Sequence, residues 1–256
     1  MTTEMPKTYN AALVVIGNEI LSGRTQDANT PWIAEKLGPM GVRLAEVRVV
    51  PDEEDTIIEA VNTLRARYDY VLTTGGIGPT HDDITTASIA RAFNVPVVMN
   101  EDARAMLAAH YGPDELSGVR LKMAMVPEGA KLIENPVTAA PGYVMENVFV
   151  MAGVPRIMRG MLDHVMSMME KGTPYISNTI SCMLLEGQIA EDLARLQSKY
   201  TAVNMGSYPH YRSGVLGLSF VLRGIDRQMV QQATDDVIAM IRHHGDEPRA
   251  ISIQSK

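Results

Sequence analysis

Cysteine is nearly absent: Cys182 is the only one in 256 residues, so no intrachain disulfide can form and a reducing cytoplasm is the expected compartment. The amino-terminal stretch lacks the apolar core of a secretory leader, and no apolar run approaches the roughly 20 residues of a bilayer span. Neither export nor a membrane partner is expected. Basic residues form no cluster, and a net charge of −7 offers no basic face to a nucleic acid. Two common phosphate-binding signatures are missing too: there is no Gly-Lys-Ser/Thr of a P-loop and no Gly-x-Gly-x-x-Gly dinucleotide spacing.

What remains is an ordinary soluble balance, 46% hydrophobic and 21% charged, enough for a sizeable core. Ala11–Ile16, Val42–Val50 and Tyr70–Thr74 read as strands, alternating with helices over Pro31–Leu37, Glu54–Arg67 and Ile84–Phe93. That rhythm predicts an α/β domain with a parallel sheet covered on both faces, whose ligands bind where loops leave the carboxyl ends of strands. Further on, a helix fits Glu101–Tyr111, a polar turn fits Gly112-Pro113-Asp114, and Tyr143–Met145 pairs with Val148–Val150. Many of the eighteen methionines fall between Met151 and Met169, where Met158, Met161, Leu162, Val165, Met168 and Met169 recur at helical spacing and predict a core-facing stripe.

Lys171-Gly172-Thr173-Pro174 reads as a boundary, dividing the chain into domains 1–173 and 174–256. The second shows strand Tyr175–Leu184, helix Glu186–Tyr200, strand Thr201–Ser207, loop Tyr208–Ser213, strand Gly214–Leu222, helix Arg227–His243 and a last strand Ala250–Ile253. This βαββα order predicts a small α+β domain. Its Gly206–Gly214 segment is either a plain hairpin connection or a contact for a base or flavin ring.

The most informative stretch is Val71 to Thr85, an apolar strand that ends in Thr74-Gly75-Gly76-Ile77-Gly78-Pro79-Thr80 and runs into Asp82-Asp83 at a helix start. Glycines allow positive φ and close backbone approach, and a helix start adds unpaired N–H donors, which together favour an anion. Carboxylates beside an anion site make sense when they carry a divalent cation that a phosphate shares. Close helix packing and a simple N-cap would use the same residues. Three loops at strand ends, Gly17–Asn29, Pro51–Asp55 and Gly75–Asp83, carry Glu19, Asp27, Asp52, Glu53, Asp55, Asp82 and Asp83, with Ser22, Thr25, Asn29, Thr80 and Thr85 as polar partners. Most of the acidity in Pro51–Asp55 also suits a helix dipole. Gly153, between a strand and Pro155, would add free N–H groups.

With Gly17-Asn18-Glu19-Ile20-Leu21-Ser22-Gly23, Asp27-Ala28-Asn29, Pro51-Asp52 and Thr74 to Thr85 in view, residues 10–170 resemble the molybdopterin-binding (MoaB/Mog-like) family. Within it the chain is most similar to competence/damage-inducible protein A and the amino-terminal domain of eukaryotic FAD synthases, and Gly206-Ser207-Tyr208-Pro209 adds to that likeness. The resemblance implies a three-layer α/β/α sandwich whose sheet-end loops bind a pterin or nucleotide. Asp52 and Asp83 match the family's functional pair, and Glu19 and Asp82 join them as candidate metal ligands. Gly75, Gly76, Gly78, Pro79, Thr80, Ser22, Asn29, Gly142 and Gly153 are the candidate phosphate and nucleotide contacts. The implied cofactor is a divalent metal, Mg²⁺ or a transition metal such as Co²⁺, with K⁺ as a further candidate, and the implied assembly is a homo-oligomer.

The implied activity is metal-dependent cleavage of a nucleotide pyrophosphate such as ADP-ribose or FAD. Two alternatives stay open: a molybdopterin adenylyltransferase-like role in molybdenum cofactor assembly, and a non-catalytic nucleotide- or pterin-binding module. Departures from the family pattern are Asn18 for Asp, Thr138-Ala139 for Gly-Thr, and Ala152 and Ile157 for the Pro and Glu of the Pro-Gly-Val-Pro-x-Glu-Met turn. The chain shows no carboxy-terminal amidase domain, so nicotinamide-nucleotide deamidation is not expected.

Overall fold

Strand β1 (Tyr9–Ile16) is apolar on both sides, as a strand in the middle of a covered parallel sheet must be. Ala11, Leu13 and Val15 enter one core and Ala12, Val14 and Ile16 the other. The structure is a computed structural model describing residues 7–112, 115–116, 118–212 and 215–254. It divides into a unit spanning Lys7–Gly172 and a second from Thr173 onward.

The first unit continues through α1 (Asn18–Leu21), α2 (Asn29–Leu37), β2 (Val42–Val50), α3 (Glu54–Arg65), β3 (Tyr70–Thr74) and α4 (Thr85–Ala92). After these come β4 (Val97–Met99), α5 (Glu101–Tyr111), α6 (Gly118–Leu121), β5 (Met125–Pro127), β6 (Lys131–Ile133), β7 (Gly142–Met145), β8 (Val148–Met151) and α7 (Pro155–Met168). The main sheet has the order β2-β1-β3-β8-β7-β6. Its first four strands are parallel, β7 runs against β8, and β6 runs against β7.

Helices α2 and α7 cover one face with Ile33, Leu37, Met158, Met161, Leu162 and Val165, while α3 and α4 cover the other with Ile57, Val61, Leu64 and Ile89. The result is the three-layer α/β/α sandwich. The methionine stripe packs because Pro155 opens α7 at its first turn and 3.6-residue spacing turns those side chains to one side, each buried chain contributing about 1.5–3 kcal/mol. Met168 departs from the expectation, being 38% exposed at the helix end. The short strands β4, β5 and β6 were not anticipated. β4 and β5 pair outside the main sheet, beside a small core of Ala103, Leu107 and Ala124.

Because β2 lies on one side of β1 and β3 on the other, the chain reverses its direction of growth at β1. In open α/β sheets the crevice beside such a switch is where ligands settle. The loops after β1, β2, β3 and β8 all leave the same sheet edge.

The second unit contains β9 (Ile176–Cys182), α8 (Glu186–Lys199), β10 (Asn204–Arg212), β11 (Val215–Gly224), α9 (Arg227–His243) and β12 (Ala250–Gln254). Its antiparallel sheet has the order β10-β11-β9-β12, a split βαβ arrangement built on Ile180, Ile189, Phe220, Leu222, Val237 and Ile241. The loop expected at Tyr208–Ser213 is corrected: Tyr208 to Arg212 are strand, and β10 pairs with β11 along its whole length. Pro209 is tolerated because β10 is an edge strand, where a missing N–H costs no ladder bond. Ser213 and Gly214 of that segment, like Pro113 and Asp114 of the expected polar turn, lie outside the described residues. No helix among the described residues is long and apolar enough to cross a membrane.

Candidate nucleotide site at the sheet edge

The glycine turn after β3 is held by backbone contacts that exclude side chains. Gly75 has φ +108°, its N–H donates to the Met151 carbonyl at 3.1 Å, and a Cβ there would stand 2.1 Å from the Ile16 carbonyl oxygen. Gly76 has φ +66°, and its Cβ would meet Thr85 Oγ1 at 2.2 Å. Thr85 fastens the turn to the start of α4: its hydroxyl donates to the Gly75 carbonyl at 2.9 Å and its N–H to the Gly76 carbonyl at 3.0 Å. A Cβ on Gly153, after β8, would lie 3.1 Å from Gly75 Cα. The turns after β1, β3 and β8 therefore converge backbone to backbone. Among the described residues, the N–H groups of Ile77 and Gly78 have no acceptor in the protein.

Asp83 folds back over this turn, its Oδ2 accepting from the Thr80 N–H at 2.8 Å and from the Thr80 hydroxyl. A Cβ on Gly78 would meet that same oxygen at 2.6 Å, so a side chain there would push the Asp83 carboxylate aside. Asp83 is not a helix cap, since Ile84 occupies the N-cap of α4 and no side chain bonds there. Asp82 is exposed. The Thr80 hydroxyl beside it, then its own backbone N–H, hold its carboxyl below the usual range, with His81 and Lys122 adding smaller attractions. His81 is fully solvent-exposed, as a loop residue.

Asp52 stands apart from the acidic run around it. Its neighbours Glu54 and Asp55 occupy the first turn of α3, whereas Asp52 Oδ2 accepts from the Asn18 N–H at 2.9 Å in the loop after β1. The Glu19 carboxylate lies over Gly17, where a Cβ would meet Oε1 at 2.5 Å. Asn29, 6% exposed, donates through Nδ2 to the Gly153 carbonyl at 2.8 Å, while Asp27 accepts from the Asn29 N–H at 2.8 Å. This clasp joins the loops after β1 and β8. Ser22 is exposed and its hydroxyl bonds the Glu19 carbonyl; Pro79 is half-buried. Gly142 sits at the same edge, but inside β7 against the Val150 carbonyl, where a Cβ would come to 2.3 Å.

The candidate metal ligands are not drawn into one cluster: among the described residues, no three His, Cys, Asp or Glu side chains are placed to hold an ion. Strands β2 and β3 flank β1, so the loops bearing Asp52 and Asp83 leave points about 10 Å apart at ordinary strand spacing. Each of these aspartates has one oxygen engaged within the protein. Such a donor set suits a cation that arrives on a phosphate and takes one or two carboxylates, rather than an all-protein cage. At the departures, Ala152 and Ile157 are half-buried and pack on the core around α7. Thr138 accepts from Asn135 Nδ2 at 2.6 Å, and Ala139 adopts φ +58°.

Two neighbours of the site were not legible in sequence. Lys122, just before β5, donates through Nζ to the Asp83 carbonyl at 2.9 Å and to the Thr80 carbonyl. It comes from a stretch without periodicity, so nothing local marks it. Beside it a pocket of about 240 Å³ is bordered by Gly78, Asp83 and Lys122 on one side and by Tyr143 of β7 on another. Tyr143 had the pattern of a core strand residue.

Four parallel strands end in loops that carry Gly17, Gly75, Gly76 and Gly153 and the carboxylates of Glu19, Asp52 and Asp83, which defines an α/β protein with its candidate site at the sheet edge, and comparison with known proteins gives the family. A family model described as a probable molybdopterin binding domain matches residues 12–171, and one described as the middle domain of FAD synthase matches residues 174–246. The chain belongs to the molybdopterin-binding domain family. It is similar to a protein of Archaeoglobus fulgidus, 35% identical over 86% of this chain and 93% of that one. A Thermoplasma volcanium protein is 30% identical over 93% of this chain and 96% of its own. Among solved structures, a protein of unknown function called CinA, from Thermoplasma acidophilum, aligns with a TM-score of 0.59 at 36% identity, covering 62% of this chain and 97% of that one.

Proposed function

We propose that this protein is a metal-dependent hydrolase of nucleotide diphosphate linkages, of the ADP-ribose or FAD type. The observation that carries the reading is the glycine turn: Gly75, Gly76 and Gly78 keep the sheet edge clear of side chains, the Ile77 and Gly78 N–H groups have no internal acceptor, and Asp83 and Asp52 flank them. Unpaired N–H donors suit the charge that develops on phosphoryl oxygens, and placing them beforehand avoids reorganisation during reaction. Asp52 and Asp83 would hold the cation, Mg²⁺ or a transition ion such as Co²⁺, through their free carboxylate oxygens, with Glu19 and Asp82 at the margin. When bound, that cation neutralises the diphosphate and polarises it toward attack. Asn29 and Gly153 keep the opposite wall in place. Water as nucleophile gives hydrolysis. The match of residues 174–246 to the middle domain of FAD synthase favours a dinucleotide over a lone pterin.

The test is product chromatography with purified protein and ADP-ribose, FAD, or ATP plus pterin, across Mg²⁺, Mn²⁺ and Co²⁺, wild type beside Asp83→Asn. AMP from ADP-ribose or FAD is expected with wild type, at a rate reduced by orders of magnitude in the variant. Adenylylated pterin without dinucleotide cleavage would replace the reading with a transferase. Binding without turnover would make the protein a binding module.

A further inference from the structure

Strand β2 is the outer strand of the main sheet, nine residues long and without the lysine or proline that commonly blunts an open edge. Among the described residues no strand pairs with its outer side. The Gly17 N–H donates to the Val50 carbonyl at 3.1 Å, and this fixes which backbone groups are free. Those of Glu46, Arg48 and Val50 point toward β1, so those of Val47 and Val49 point away from it. The side chains of Val47 and Val49 lie beside Leu13 and Val15 of β1, yet are 40% and 39% exposed. Apolar side chains and unpaired backbone groups on one long edge form a template for another strand.

We propose that this edge pairs antiparallel with β2 of a second copy of the chain, across a twofold axis at Val47. Charge selects the register. An axis at Glu46 would set the two Glu46 carboxylates against each other, and an axis at Arg48 would oppose the two guanidinium groups, both destabilising. With the axis at Val47, Glu46 of each copy faces Arg48 of the other. Glu46 and Arg48 already bond at 2.9 Å within one chain, at 26% and 27% exposure, so the pairing closes a ring of four alternating charges. The two Val47 residues exchange N–H···O bonds through the groups that face away from β1, and their side chains cover each other. Ala45, the extra residue where β2 bulges against β1, falls at the margin of this stretch. Antiparallel pairing also sends the two carboxyl ends of β2, with the loops bearing Asp52, to opposite ends of the joined sheet, so each copy keeps its own site. The inference is independent of the hydrolase reading.

Sedimentation velocity of the full chain at micromolar concentration, wild type beside Val47→Lys, tests this. Wild type is expected to sediment as a dimer. Val47→Lys sets two ammonium groups together on the axis and should raise the dissociation constant on the order of tenfold or more, with an unchanged circular dichroism spectrum. Cysteine placement reads the register separately, because Cys182, the only native cysteine, is buried. Oxidation of Val47→Cys should give a disulfide-linked dimer, since Cα atoms opposed in a hydrogen-bonded pair are ~5.5 Å apart. Val49→Cys should stay unlinked, because its two copies would stand four residues, about 13 Å, apart along the strands, beyond the ~7 Å reach of a disulfide.

A wild type that sediments as a monomer would overturn the proposal and leave the edge to a strand of some other protein. A dimer that Val47→Lys leaves intact would also overturn it, by moving the interface elsewhere. If Val47→Lys fails to fold, the cysteine pair decides: Val49→Cys linking as readily as Val47→Cys, or neither linking, refutes the register.

Discussion

Replacing Gly75 by alanine separates two costs at the centre of the site. The residue has φ +108°, and a Cβ would sit 2.1 Å from the Ile16 carbonyl oxygen, an atom of the neighbouring strand that cannot swing away as a side-chain tip would. Backbone strain at such a φ is worth about 1–3 kcal/mol, and overpacking against fixed neighbours about 1–3 kcal/mol more. The expected loss is therefore about 2–6 kcal/mol, or on the order of 5–20 °C in Tm for a chain of this size. Gly129 is the control, with φ +83° and nothing within 4 Å of its would-be Cβ. Gly129→Ala should cost only the strain, about 1–2 kcal/mol. Urea denaturation followed by circular dichroism measures both. If Gly75→Ala falls within 1 kcal/mol of Gly129→Ala, the close approach of the β1 and β3 ends is not what selects glycine, and the reasoning about the crevice fails.

Asn29→Ala removes the donor to the Gly153 carbonyl and should cost about 1–2 kcal/mol in urea denaturation; an unchanged midpoint would mean the clasp contributes nothing. Trp32, the only tryptophan, lies one turn beyond Asn29 on α2, between Lys36 and Arg159 at 4.8 and 4.1 Å from its ring centre. Its fluorescence should change as ADP-ribose and Mg²⁺ are titrated, and silence at saturating ligand would exclude the Asn29 loop from binding. Stability should also fall in acid. The Tyr68 hydroxyl, then Arg48, hold Glu46 low; His244 holds Asp192 low; Lys199, then Tyr200, hold Asp236 low. A lowered folded-state pKa gives stability that is complete above the unfolded value of about 4 and is lost as pH falls through the folded value. Asp236→Asn should therefore flatten the acid limb of stability measured by urea titration between neutral pH and about pH 3; an unaltered limb would show that the contact to Lys199 and Tyr200 does not favour the ionised form.

The fold was legible where periodicity was strong. Leu13 and Val14 sit in a continuous apolar run, and Ile57, Val61 and Leu64 fall at helical spacing, so β1 and α3 are plain from the chain. The three-residue strands β4, β5 and β6 carry too few residues to show a period, and β10 runs past its expected end at Ser207 because an edge strand tolerates Pro209. The site followed the same division. Gly75 and Gly76 announce themselves as a Gly-Gly turn, and both take the positive φ that favours glycine. Local pattern alone did not separate Asp52 from Glu53, Glu54 and Asp55; the family resemblance singled it out, and the structure adds that the loop after β1 reaches its carboxylate. Lys122 and Tyr143 arrive from more than 35 residues away, 39 for the Lys122 bond to Asp83, and no local pattern encodes a contact of that separation.

Lys122 ties the glycine turn to the segment just before β5. Its ammonium holds the Thr80 and Asp83 carbonyls from a segment that belongs to the small outlying core near β5. Whatever orders the turn then also steadies the insertion, and whatever loosens the insertion frees the turn, since a free-energy coupling acts equally in both directions. Amide exchange in residues 118–127 thus becomes a gauge of how firmly the glycine turn is held.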